Sequence, residues 1–96
     1  MLDENKIRQI AQEVATATLS TANFSSILSG PAVDSEGHDA LRITIVIKPA
    51  AVAKIDGDAA LDTLVQIRKQ LLKAGEERFP IIEYATAKEL RERGDP

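Results

Sequence analysis

Cysteine and tryptophan are absent from the 96-residue chain, histidine, methionine and tyrosine occur once each, and the only other aromatic residues are Phe24 and Phe79. Without thiols the protein forms no disulfide, no iron–sulfur cluster and no cysteine nucleophile, which fits a reducing compartment. A zinc site wants more imidazole or thiolate ligands than His38 alone supplies. A hydrolytic triad would hang on that same histidine, and no serine stands in a Gly-x-Ser-x-Gly elbow or a Ser-x-x-Lys arrangement. A glycine loop that cradles phosphate is missing as well, because the five glycines are scattered singly.

Long apolar runs are equally scarce. The longest strongly apolar stretch, residues 43–47, is far too short to span a bilayer. The opening Met-Leu-Asp-Glu-Asn-Lys is charged with no apolar segment behind it, so no signal peptide is expected and a cytoplasmic location follows. No single sign of charge dominates: 12 Lys and Arg stand against 15 Asp and Glu, and both halves of the chain carry both signs. A pI near 5.1 disfavours nucleic acid as a partner, since phosphate neutralisation supplies most non-specific affinity.

What remains, 44% apolar and 28% charged, is the balance of one folded domain over residues 1–96. Fourteen alanines make up a third of the apolar residues, so few large side chains fill the interior. A small chain of that kind gains from burying surface against a second copy or a protein partner.

Asp3 is placed to cap a first helix over residues 4–20, where Ile7, Ile10, Ala11, Val14, Ala15, Thr18 and Ala22 recur at helical spacing. Residues 23–33 are ambiguous: Phe24, Ile27, Leu28 and Val33 suit a short strand that Gly30-Pro31 would break, at an edge or a bulge. Residues 34–39 are dense in turn formers, and Leu41, Ile43, Ile45 and Ile47 then alternate with Arg42, Thr44, Val46 and Lys48 as a strand, so a hairpin is expected. Pro49 ends it, and residues 50–55 form a connector of undetermined state. A second helix, with Asp58 at the N-cap, runs to Gly75 with Leu61, Leu64, Val65, Arg68, Leu71 and Leu72 on its apolar face, widened by Ile67. A strand over residues 79–85 follows. Thr86 and Glu89 then form a capping box for a last helix to about Arg93, stopped by Gly94-Asp95-Pro96.

The predicted architecture is a small two-layer α+β domain of order α-β-β-α-β-α. Its three-stranded sheet is antiparallel or mixed, and the two long helices lie on one face. That order is similar to the type II KH-like architecture, shared by RNA binders and by proteins with unrelated roles. The similarity is one of element order alone: no two glycines are three apart, so the Gly-x-x-Gly clamp on a nucleotide backbone is missing.

Three polar groups invite a chemical reading. Asp34, Glu36, His38 and Asp39 gather carboxylates around the one histidine, but a calcium loop counted from Asp34 would place Asp39 where glycine is needed and Ile45 where an acid is needed. A solvated turn explains them better. Asp56, Asp58 and Asp62 cluster at a helix start, where carboxylates offset the helix dipole without any metal. Arg68, Lys69 and Lys73 sit toward the other end of that helix, where cations do the same.

The segment from Gly75 to Ala85 holds two of the three aromatics, a proline and adjacent isoleucines. Alternation sets Phe79, Ile81 and Glu83 on one side and Ile82 with Tyr84 on the other, so both faces carry apolar groups. Arg78, Phe79, Ile82 and Tyr84 are the candidate protein-interaction residues, of types enriched at interface centres. A homodimer or a protein partner contacting Ile82 and Tyr84 is expected, because the last helix offers only Ala87 and Leu90 as cover. The functional expectation is a non-catalytic binding or regulatory module that acts through protein association and needs neither cofactor nor metal. The alternatives are a nucleic-acid-associated protein of KH-like topology and an accessory subunit of an enzyme encoded nearby, to which Asp56, Asp58 and His38 would contribute.

Overall fold

Helix α1 (Glu4–Leu19) starts where the Asp3 carboxylate accepts the Lys6 N–H at 2.8 Å, and it buries Ile7, Ile10, Ala11, Val14, Ala15 and Leu19 along one stripe. The computed structural model describes residues 1–94. Ala22, expected on that stripe, lies beyond the helix in an exposed turn. The next segment is a single ten-residue strand, β1 (Phe24–Val33), and it runs straight through Gly30-Pro31. It does so because β1 is a sheet edge, where a missing N–H disrupts least. A bulge between Phe24 and Ser26 shifts its register.

β1 pairs antiparallel with β2 (Asp39–Ile47), closing on the Val33–Asp39 pair. In the turn between them Asp34 Oδ1 accepts the N–H groups of Glu36 and His38, both at 2.9 Å, and Gly37 takes φ +85°. After β2, Pro49–Ala51 makes a short 3₁₀ turn, which supplies the structure of the undetermined connector. Helix α2 (Gly57–Lys73) is capped by Asp56, whose carboxylate accepts the Ala59 N–H at 2.8 Å. The cap is therefore two residues earlier than Asp58, because Gly57 is itself the first helical residue and Asp58 lies inside the first turn.

Strand β3 (Phe79–Ala85) returns parallel to β2, so the sheet is mixed, with order β1-β2-β3 and β2 in the centre. The short helix α3 (Ala87–Glu92) opens with the expected capping box: Thr86 N–H donates to Glu89 Oε1 at 2.8 Å and Glu89 N–H donates to Thr86 Oγ1 at 3.2 Å. Arg93 caps its C-terminal end and Gly94 turns the chain at φ +78°, while the Asp95 and Pro96 parts of the expected stop lie outside the described residues.

The α+β fold is thus the expected one, with α1 and α2 packed against the sheet. Leu41, Ile43, Ile45 and Ile47 of β2 face those helices and meet Ile7, Ile10, Val14, Ile67 and Leu71 in one core. Among the described residues the opposite sheet face is covered by a helix at one end only. There Leu90 of α3 packs on Val46 and Ala85 in a small second core.

Candidate functional site

Helix α2 carries two apolar lines. Thr63, Ile67 and Leu71 repeat every four residues and are buried toward α1 and the sheet. Leu61, Val65, Arg68 and Leu72 follow at i, i+4, i+7 and i+11, which 3.6-residue periodicity gathers onto one face well away from the buried line. Leu61 is 61% exposed, Val65 50% and Leu72 48%. Beside them, at the start of β3, Phe79 is 49% exposed. The Arg68 guanidinium carbon stands 4.4 Å from its ring centroid, a cation–π contact that joins the strand edge to the helix. The shallow groove between them is walled by Leu64, Val65, Leu72 and Phe79 and by the aliphatic stems of Arg68, Lys69 and Lys73.

Charge is not symmetric about this stripe. On a helical projection Asp58, Asp62, Lys69 and Lys73 all fall along one flank, the acids in the N-terminal half and the bases in the C-terminal half. The other flank carries Leu64 and leads to β3.

Of the four interaction residues expected from sequence, Phe79 alone lies open on the surface. Ile82 and Tyr84 occupy the other side of β3 from that expected: both pack against the main core under the long helices, paired in register with Ile43 and Ile45. The face left partly open is that of Phe79, Ile81 and Glu83. Arg78 is engaged internally. Its Nε and Nη2 donate to Glu76 at 2.9 Å each, and Glu76 also accepts the Leu2 N–H at 2.9 Å. These bonds hold the Glu76 carboxyl down at about 2 despite its burial, and Arg78 is raised in return.

Tyr84 has a buried hydroxyl with no hydrogen-bond partner among the described residues. Burial raises its pKa, an effect the Thr63 side chain opposes. The Thr63 hydroxyl, however, is already bonded to the Ala59 carbonyl at 2.8 Å and to the Thr18 hydroxyl at 2.7 Å.

On the outer sheet face Leu28 and Ile81 are exposed around Arg42, and Glu83 accepts the Thr44 hydroxyl at 2.8 Å and Arg93 Nη2 at 3.2 Å. Those two donors lower the Glu83 pKa. The hairpin group is solvated: His38 Nδ1 lies 3.3 Å from Asp34 Oδ2 with most of the ring exposed. The backbone donors from His38 and Glu36 lower the Asp34 pKa. Among the described residues no three or more His, Cys, Asp or Glu side chains converge to hold a metal ion. Asp56 is committed to the α2 cap, and Arg68 to Phe79.

Periodicity places Leu61, Val65 and Leu72 on one wide apolar face with Leu71 and Ile67, but the fold buries only the latter two. The signal that separates them was the width of that face: it exceeds what one layer of neighbours can cover. No helix among the described residues is long and apolar enough to cross a membrane. No known protein family, no curated protein and no solved structure matches the chain.

Proposed function

We propose that this chain is a binding or regulatory module that acts through protein–protein association and has no catalytic role of its own, in the cytoplasm. The observation that carries the proposal is the exposed apolar face of α2 with Phe79, rimmed by charge. Contiguous apolar surface of this kind is rare on soluble monomers and marks interaction sites, whereas isolated exposed leucines do not. Its composition, an aromatic and an arginine beside aliphatic side chains, is that of an interface centre.

A photoreactive residue placed at Leu72 tests this in the protein's native cell. Covalent capture of a protein from position 72, but not from Gln12 on the exposed face of α1, is the expected result. Equal capture from both positions, or none from position 72, would overturn the reading.

A further inference from the structure

Resting on that reading, we infer that the protein seated on the α2 face is a second copy of this chain, docked with the two α2 helices antiparallel. The layout of charge along the flank points to it. When two copies of one helix face meet about a two-fold axis, antiparallel docking sets each flank against the same flank of the other copy, reversed end for end. Asp58 and Asp62 of each copy then face Lys69 and Lys73 of the other. Parallel docking sets the charged flank against the flank of Leu64 and pairs nothing.

The apolar stripe has the matching symmetry. Its midpoint falls between Val65 and Arg68, so Leu61 of one copy lies opposite Leu72 of the other, and Val65 opposite Arg68. Arg68 is drawn off the seam by its contact with Phe79, leaving its aliphatic stem to pack. Pairing of the open β1 or β3 edges is the competing route to a dimer, but each of those strands carries a proline, Pro31 or Pro80, a residue that blunts sheet edges. Helix α2 is about 25 Å long, so the contact lies toward the lower end of the areas that specific complexes bury, and the dimer separates on dilution.

Light scattering on size-exclusion fractions, from micromolar to millimolar protein, reads the association directly. Asp62→Lys is expected to weaken dimerisation about tenfold, and Lys73→Asp likewise, while the double exchange returns it to within about twofold of the native protein. Asp62 and Lys73 are both exposed, so each variant keeps its far-UV circular dichroism. A chain that stays monomeric at millimolar concentration overturns the inference. So does a dimer indifferent to the single exchanges, or one that the double exchange fails to restore. The crosslink from Leu72 separates this inference from the reading beneath it. An adduct of twice the chain mass supports both; an adduct with a different protein overturns the second copy and keeps the surface; no protein adduct overturns both.

Discussion

Glu76 and Arg78, two residues apart in the turn between α2 and β3, form a two-pronged ion pair in which the carboxylate is only 2% exposed and the guanidinium side chain 15%. The same carboxylate holds the Leu2 N–H, and Arg78 Nη2 reaches the Leu2 carbonyl at 3.5 Å, so one buried charge pair ties the N-terminus to the start of β3.

That pair makes stability depend on acid. The Glu76 carboxyl titrates at about 2 in the folded chain against 4.5 for a free glutamate. Because the folded value is the lower one, its contribution is complete above about pH 4.5 and disappears as pH falls toward 2. The contribution is on the order of 2–3 kcal/mol. Urea unfolding of the native chain and of Glu76→Gln should differ by about that amount at pH 7 and converge near pH 2. Parallel curves at both pH values would show the pair to be unimportant.

Tyr84 supports the opposite kind of prediction. Its hydroxyl is buried without a partner among the described residues, and a desolvated, unpaired polar group costs roughly 1–3 kcal/mol. Tyr84→Phe keeps the ring against Ile45 and its neighbours and is expected to leave the melting temperature unchanged or raise it by a few degrees. A lower melting temperature would mean that the hydroxyl is bonded after all.

Two glycines separate conformation from space. Neither Gly30 nor Gly37 has a neighbour within 4 Å of where a Cβ would stand, but Gly37 takes φ +85° and Gly30 does not adopt a left-handed conformation. Gly37→Ala should cost about 1 kcal/mol and Gly30→Ala almost nothing. Thermal melts of the two variants side by side decide it.

Divalent cations should not stabilise the fold. Asp34 binds its own turn and Asp56 its own helix, and among the described residues no three His, Asp or Glu side chains converge on one point. Melts with millimolar Mg²⁺, Mn²⁺ or Zn²⁺ should overlay the metal-free curve, since only a ligand of the folded state raises it. An increase of several degrees with any of the three would place a site the geometry gives no reason for.

Local chemistry explains which elements were legible in the sequence. The stripe from Ile7 to Ala15, the alternation from Leu41 to Ile47 and the Thr86–Glu89 box each carry their structure within a few residues, and each element forms where its pattern lies. Long-range placement is what local pattern leaves open. Gly30-Pro31 carries the same break signal in any strand, and only the position of β1 at the sheet edge lets the strand continue. Alternation divides β3 into Ile82 with Tyr84 and Phe79 with Ile81, but which pair turns inward is decided by its parallel register with β2. Likewise the apolar width of α2 is readable, whereas the line at which α1 and the sheet stop covering it depends on the packed fold.

The mixed pairing of the sheet also dictates an order of assembly. β1 and β2 meet through a tight turn and can zip together as soon as both exist, with little chain entropy lost. β3 reaches β2 only after the whole connection through α2 has closed, so the slow step of folding is that long-range closure. Until it happens the β2 edge of the isoleucine-rich β1–β2 hairpin has no third strand beside it. The nascent chain is therefore most vulnerable to off-pathway strand pairing in the interval before β3 has been made.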